Sequence, residues 1–299
     1  MNILITGITG FIGKNLCRAL IDKGYCIFAI IRESSDISEF SDFKINFCKI
    51  SNTYQVIPAY ITDNKIEGVV HLATFYLAEH SFDDIEELID SNITFPTYMV
   101  ESCIGTSVKW IINVGTFWQH YNDEDYNPTN LYSATKEAFE DIIRYYKEIS
   151  DIVFVTIELT DTYGKGDRRK KIFKLWDEYS QNGLTLKMSP GEQLIDMLHI
   201  DDVITGFKIL IELLNGKDFK DYSNKKFALS SLKPIKLKNL AELYQNISGK
   251  MLNIEWGARE YRKREVMNPW CKFELVPGWK PSISLEEGIK LITDKENNA

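Results

Sequence analysis

The chain has 299 residues, 44% of them hydrophobic, which is enough for one large α/β domain with a smaller appendage and excludes a mainly disordered protein. Its net charge of −8 argues against nucleic acid or an anionic membrane as partner, and no apolar run approaches the roughly 18 residues of a membrane span. Residues 1–7 read as a strand and not as a signal peptide, so we expect a cytoplasmic protein. Neither the five scattered cysteines nor the four histidines have ligand spacing, and we expect no disulfide framework and no metal.

Short apolar runs alternate with helical patterns through the first half of the chain. The predicted strands are 2–6, 25–31, 46–50, 68–73, 110–114 and 152–159, and the predicted helices are 11–23, 84–104 and 132–149. This alternation predicts an α/β fold with a Rossmann-type, doubly wound parallel sheet. After Tyr163 the pattern is less regular, with a helix at 201–215, a strand at 227–229 and a helix from Leu285, which predicts a small C-terminal α/β lobe.

A glycine-rich turn at 6–13 lies between the first predicted strand and the first helix. Gly7 allows the tight turn, Gly10 allows the backbone to approach a pyrophosphate, and Gly13 allows the helix to pack closely on the strand. The start of the helix supplies free N–H groups for the phosphates. We therefore expect a dinucleotide to be bound by Gly7, Thr9, Gly10, Phe11, Ile12 and Gly13.

The first polar residue after the second predicted strand usually contacts the adenosine ribose, where NADP carries a 2′-phosphate and NAD does not. This residue is Arg32, whose guanidinium suits the 2′-phosphate of NADP. Glu33 follows and keeps NAD possible, and an ordinary surface arginine fits the position equally well. The sequence thus favours NADP (NADPH) and leaves NAD open.

Tyr132 and Lys136 are four residues apart and share one face of a predicted helix. An ammonium group near a phenol lowers its pKa, so Tyr132 is a candidate acid-base group. Thr116 follows the fifth strand and is either a ligand of the same substrate oxygen or a simple loop residue. Asn92 is either the holder of a water that relays protons to Lys136 or, as local sequence favours, a helix-surface residue.

Together these pieces resemble the extended short-chain dehydrogenase/reductase family of sugar-nucleotide epimerases, dehydratases and reductases. The resemblance covers nearly the whole chain, in the family's order, through 6–13, 71–73, Asn92, Thr116, Tyr132, Lys136, 163–167, 201–203, Arg262, 278–281 and 286–288. It implies a catalytic tetrad and further site residues. The tetrad is Asn92, Thr116, Tyr132 and Lys136; the further cofactor ligands are Leu72, Ala73, Tyr132 and Lys136; Arg262 meets the substrate pyrophosphate.

Within the family, residues 113–118 and 257–265 look most like the CDP-abequose and CDP-paratose synthases, which are nucleotide-sugar 4-ketoreductases. The 4,6-dehydratases carry Asp-Glu after the threonine, where this chain has Phe117 and Trp118. Glu158 and Ile195 stand where the family often has arginines, and Lys165 stands where it usually has a proline. The substrate phosphates would therefore be bound by Lys165, Arg168 or Arg169 instead. The expected substrate ligands are Thr74, Phe117, Trp118, Lys165, Arg168 and Arg262.

The sequence thus predicts an NAD(P)H-dependent reductase of the 4-keto group of a nucleotide-linked (deoxy)sugar. Two alternatives remain, an epimerase with tightly bound NAD and a non-enzymatic NADP-sensing regulator. The resemblance implies a dinucleotide-binding domain at 1–165, to which 194–232 return, and a substrate-binding lobe at 166–193 and 233–299. It also implies a homodimer through the helices near 84–104 and 132–149.

Overall fold

A computed structural model describes residues 1–51 and 53–294; residues 52 and 295–299, which the predicted domains include, lie outside the described residues. The strands are β1 (Asn2–Thr6), β2 (Cys26–Arg32), β3 (Ile45–Ile50), β4 (Gly68–His71), β5 (Trp110–Thr116), β6 (Val153–Leu159), β7 (Asp161–Tyr163), β8 (Thr185–Met188), β9 (Leu194–Ile195), β10 (Met197–His199), β11 (Lys226–Leu229), β12 (Ile235–Lys236) and β13 (Asn253–Trp256). The α-helices are α1 (Phe11–Asp22), α2 (Ile57–Asp63), α3 (Ile85–Ile89), α4 (Phe95–Glu101), α5 (Leu131–Ile149), α6 (Ile172–Gln181), α7 (Ile200–Leu214), α8 (Leu237–Ser248) and α9 (Leu285–Thr293).

The central sheet has seven strands in the order β11-β6-β5-β4-β1-β2-β3, and every neighbouring pair is parallel. The strand order reverses between β1 and β4, where loops from adjacent strands diverge and leave a crevice at their carboxyl ends. The predicted Rossmann-type fold is thereby confirmed.

Helices cover both faces of the sheet, and side chains that alternate along each strand enter two separate cores. Ile3 and Ile5 of β1 belong to one hydrophobic cluster, which includes buried residues of α1 and α7. Leu4, between them, belongs to the other, with buried residues of α2, α4 and α5. This burial on both faces is why the strands are apolar almost throughout.

The predicted helix 84–104 is corrected by the structure. A π-helical turn at Asp90–Thr94 separates α3 from α4, and α4 ends at Glu101. Such turns widen the helix locally, so the side chains after them face a different direction. The predicted strand 68–73 also ends earlier, at His71, because the backbone N–H of Ala73 donates to the Thr6 Oγ1 at 3.2 Å and turns the chain toward β1.

A third hydrophobic cluster lies in the C-terminal part of the chain and is built around Trp176 and Tyr244. The two-stranded pairs β8–β13 and β9–β12 accompany it. The later chain is tied to α7 through Asp202, whose buried carboxylate accepts from the backbone N–H groups of Ser282 and Ile283 at 3.0–3.1 Å. Among the helices described, none is both long and apolar enough to cross a membrane.

Candidate active site

The glycine-rich turn has the geometry of an anion cradle. Gly7 has a φ of 68°, and a Cβ there would lie 2.6 Å from the Ala73 backbone nitrogen. A Cβ at Gly13 would lie 2.2 Å from the Gly7 carbonyl oxygen, which is how closely α1 approaches the turn. Gly10 is the N-cap of α1 and has no side chain to cap it, so the first amides of the helix are available to a ligand. These features fit the pyrophosphate of a dinucleotide.

A cleft of about 1160 Å³ opens at the carboxyl ends of β1, β4, β5 and β6, next to this turn. Its size suits a dinucleotide together with a second ligand. Most of the site residues predicted from the sequence line it. They are Gly7, Thr9, Gly10, Phe11, Ile12, Gly13, Arg32, Leu72, Ala73, Thr74, Thr116, Phe117, Trp118, Tyr132 and Arg262.

Tyr132 lies in the first turn of α5, with its ring edge-to-face against Tyr76 at 5.0 Å between centroids. Burial raises the pKa of Tyr132 to about 12, and the groups that oppose this rise are the Thr74 hydroxyl and Arg169. The expectation that Lys136 lowers this pKa is therefore wrong for the protein alone, because desolvation of the phenolate outweighs the nearby charges. At neutral pH the phenol holds its proton.

Lys136 is one turn further along α5, and its side chain is almost completely buried. Burial lowers the pKa of Lys136 to about 8, while the Glu140 carboxylate opposes the shift. Lys136 is therefore mainly protonated at neutral pH but loses its proton in mildly alkaline solution. It lies behind the lining of the cleft and not on its surface.

Asn92 lies in the π-helical turn and is 2% exposed, so the helix-surface interpretation is wrong. Its Oδ1 accepts from the Thr74 hydroxyl and the Phe75 N–H, both at 2.9 Å. Its Nδ2 donates to the Phe75 carbonyl at 3.0 Å and to the Thr135 hydroxyl at 2.9 Å. These four bonds use the whole capacity of the amide, which leaves none for a relaying water. We correct its role to holding the loop after β4 against α5.

Thr116 ends β5 and caps the short helical turn Phe117–Gln119, where its Oγ1 accepts from the Trp118 N–H at 3.3 Å. Because the hydroxyl accepts in that bond, its own hydrogen is free to point to a ligand. Trp118 packs on Tyr76 at 5.7 Å between centroids, and both line the cleft beside Tyr132. Phe117 is mostly buried and packs edge-to-face against Trp270.

Besides Arg32, five cationic side chains line the cleft, and they come from two basic clusters of the sequence, 168–171 and 259–264. They are Arg169, Lys170, Lys171, Arg262 and Arg264. The structure does not bring Lys165 or Arg168 to the lining; Arg168 instead pairs with Glu39 at 3.0 Å on the surface. Arg169 stacks over the Phe11 ring at 4.7 Å. Among residues 1–51 and 53–294, no group of three or more His, Cys, Asp and Glu side chains could hold a metal.

Arg32 ends β2 and lines the cleft. One of its nitrogens donates to the Ser91 hydroxyl at 3.1 Å, and another pairs with Glu87 at 3.3 Å. The side chain is 60% exposed, so it is free to move to a ligand. Ser34 and Ser35 also line the cleft.

Sequence reasoning missed Tyr76, Lys170, Lys171 and Arg264 as lining residues. The two basic clusters were a signal for the three cations, but sequence cannot say which members of a charged run face inward. Tyr76 gave no such signal, because a single aromatic residue in a loop is an ordinary feature of a sequence.

A parallel sheet with a glycine cradle and a buried Tyr-Lys pair defines a dinucleotide-dependent enzyme of the short-chain dehydrogenase/reductase type. Residues 3–223 match the NAD dependent epimerase/dehydratase family, and the chain belongs to that family. It is 27% identical over 293 residues to the CDP-abequose synthase of Salmonella typhimurium, covering 96% of each chain. It is 23% identical to the UDP-glucuronate 4-epimerase of Thermodesulfobacterium geofontis, covering 98% of this chain and 96% of that one.

Solved structures agree on the fold. The UDP-glucuronic acid 4-epimerase of Bacillus cereus, in complex with UDP-glucuronic acid and NAD, has a TM-score of 0.85, with 22% identity and 98% of each chain covered. At this identity the likeness concerns the fold alone.

Proposed function

We propose that the protein reduces the 4-keto group of a nucleotide-linked deoxysugar with a pyridine nucleotide. The observation that carries the proposal is that the Tyr132 phenol, the Thr116 hydroxyl and the glycine cradle line one cleft. A reduced pyridine nucleotide, when bound in the cradle, would supply the hydride. Tyr132 gives its proton to the ketone oxygen, and Thr116 holds that oxygen by a hydrogen bond.

The residues after Thr116 support reduction over dehydration. Removal of water from a sugar needs an acid and a base close to the reacting carbons. Phe117 and Trp118 occupy the two positions where a dehydratase carries carboxylates, and neither side chain can transfer a proton. Similarity to CDP-abequose synthases over 96% of the chain supports the same direction.

The cations of the cleft support a nucleotide-linked substrate. Arg262 and Arg264 come from the C-terminal part of the chain, and Lys170 and Lys171 come from the segment after β7. A substrate with a diphosphate carries negative charge that such side chains neutralise through charge-assisted hydrogen bonds. Trp118 and Tyr76 offer aromatic faces to the apolar side of a deoxysugar ring.

The proposal is tested by following NADPH and NADH oxidation with a panel of CDP-, dTDP-, GDP- and UDP-linked 4-keto sugars. Turnover with one donor is the expected result, and it identifies the nucleotide and the cofactor together. No oxidation with any member of the panel, with NAD retained through purification, would replace the reductase by the epimerase.

The epimerase is the second candidate, because the Bacillus cereus 4-epimerase has the same fold over 98% of both chains. An epimerase must first remove a proton from an alcohol. Reduction instead needs a phenol that carries a proton, and burial favours this form of Tyr132. The regulator alternative ranks last, because a sensor has no need of the Tyr132–Lys136 pair that this chain keeps.

We infer that NADP is preferred over NAD, because Arg32, at the end of β2, and the hydroxyls of Ser34 and Ser35 line the cleft and are suitable donors for a 2′-phosphate. Replacing Arg32 by Gln should weaken NADPH binding by roughly 10-fold, the effect of one charged hydrogen bond, and leave NADH binding unchanged. Titration of intrinsic tryptophan fluorescence with each dinucleotide measures both constants. Arg18→Gln, an exposed arginine of α1 that pairs with Glu39, is the matched control. Equal losses for NADPH and NADH would contradict the preference.

The homodimer and the cytoplasmic location stay predictions. Large apolar side chains are exposed on α3, α4 and α5, the helices through which pairing is expected. They are Ile85, Ile89, Tyr98, Tyr145 and Ile149. The domain boundaries predicted from the sequence also stay predictions.

A further inference from the structure

Three carboxylates are buried together behind the cleft. Glu137 and Glu140 project from α5, and Glu158 projects from β6; each is at most 5% exposed. A buried carboxylate is costly unless cations or hydrogen bonds compensate it. The cluster therefore has to be balanced by neighbouring groups.

Two basic side chains contact these carboxylates directly. Lys226 of β11 pairs with Glu140 at 2.5 Å and reaches Glu158 at 4.0 Å. The His120 Nε2 lies 2.9 Å from the Glu158 Oε1; burial lowers the pKa of His120, but the bond and charge of Glu158 outweigh burial and raise it. Arg144 lies 3.9 Å from Glu137 but is largely exposed, so water screens its charge.

Gln119 connects this cluster to the active site and is completely buried. Its Nε2 donates to Glu137 at 2.6 Å and to Glu140 at 2.9 Å, so its Oε1 is left to accept from the Thr116 N–H at 2.9 Å. A Cβ at Gly115 would lie 2.9 Å from that oxygen, which shows how closely the strand approaches the cluster. The backbone of Thr116 is thus held by the acid pair through one amide.

The buried ammonium of Lys136 is the remaining cation. It lies one helical turn before Glu140 on the same face of α5. Lys136, Lys226 and His120 are thus three basic groups around these buried carboxylates. The other titratable neighbours, His71 at the end of β4 and Tyr132, are uncharged at neutral pH, since burial holds the pKa of His71 well below and that of Tyr132 above neutrality. Loss of the Lys136 proton would remove one positive charge from the buried surroundings of Glu140.

We propose that Glu140 is a positioning residue that holds the Lys136 ammonium in its protonated form and, through Gln119, fixes Thr116 beside the substrate oxygen. This assignment rests on the proposed function for the roles of Thr116 and Lys136. The charges around Lys136 also predict how activity depends on pH. Glu140 opposes the lowering of the Lys136 pKa by burial, so activity that needs the ammonium is present below pH about 8 and is lost above it.

Two substitutions break the ion pair between Glu140 and Lys226, and they should shift the pKa of Lys136 in opposite directions. Glu140→Gln removes the negative charge and should lower the pKa of Lys136 by about one unit. Lys226→Gln leaves Glu140 in place and removes a competing positive charge, so it should raise the pKa of Lys136. The measurement is NMR of the full-length protein with 13C-labelled lysine, titrated with pH, where Lys136→Met identifies the resonance. The alkaline limb of kcat should move in the same directions as the resonance.

Glu140→Asp keeps the charge and should return the Lys136 titration towards the wild-type value. A role limited to packing would instead shift both Glu140→Gln and Lys226→Gln in the same direction or not at all, and either result overturns the proposal. If Glu140→Gln does not fold, Lys226→Gln alone tests the proposal, because a pKa of Lys136 that is unchanged or lowered in this variant also overturns it. The titration needs no substrate. If no sugar of the panel is reduced, the proposed function is refuted, but the role of Glu140 is still decided by the titration.

Discussion

Replacing Tyr132 by Phe should lower kcat by roughly 10³-fold, the usual contribution of a general acid, because the ring stays in place and only the transferable proton is lost. The binding constant of the dinucleotide should change little, since phenylalanine fills the same volume against Tyr76. Stopped-flow absorbance of NADPH measures the rate of the chemical step, and fluorescence titration measures binding.

The matched control is Tyr145→Phe, the same chemical change on the same helix α5 but at a side chain that is 61% exposed. Its kcat should equal that of the wild type. Full turnover in Tyr132→Phe would remove the phenol from the mechanism and revive the regulator alternative. A large rise in KM with unchanged kcat would instead assign Tyr132 to substrate binding.

The second large effect is expected at Gly13, where Ala should weaken dinucleotide binding by roughly 10- to 100-fold and lower the free energy of unfolding by about 1–3 kcal/mol. The added Cβ comes too close to the backbone of the turn, at 2.2 Å from the Gly7 oxygen and 2.7 Å from the Ile8 Cα. Neither can rotate away as a side chain could, so α1 must move from the turn that it supports. Denaturant unfolding and dinucleotide titration measure the two effects separately.

Gly24→Ala separates loss of stability from loss of the binding site. Gly24 follows the other end of α1 with a φ of 84°, and a Cβ there meets nothing within 4 Å. Alanine should cost about 1–2 kcal/mol of stability, because L residues resist this backbone region, and should leave dinucleotide binding unchanged. If both variants lose binding equally, the cradle geometry is not the cause.

Local patterns in the sequence determined much of this protein. The strand Asn2–Thr6, the turn after it and the start of α1 at Phe11 were predictable, since alternating burial and glycine spacing leave a direct trace in the order of residues. The tyrosine and lysine of the active site were also found from the sequence. Their helix begins at Leu131, one residue before the predicted start.

The tertiary structure alone decided which charged residues meet. Arg168 and Arg169 are neighbours in sequence, yet the first pairs with Glu39 on the surface and the second lines the cleft. The direction of the Tyr132 pKa shift also came from three-dimensional burial, which outweighed the charge that sequence spacing places nearby. The sequence did not show that Glu137, Glu140 and Glu158 meet, because two lie on a helix and one on a strand, and only packing buries them together. Sequence encodes short-range geometry, whereas desolvation and long-range ion pairing depend on which elements the fold brings into contact.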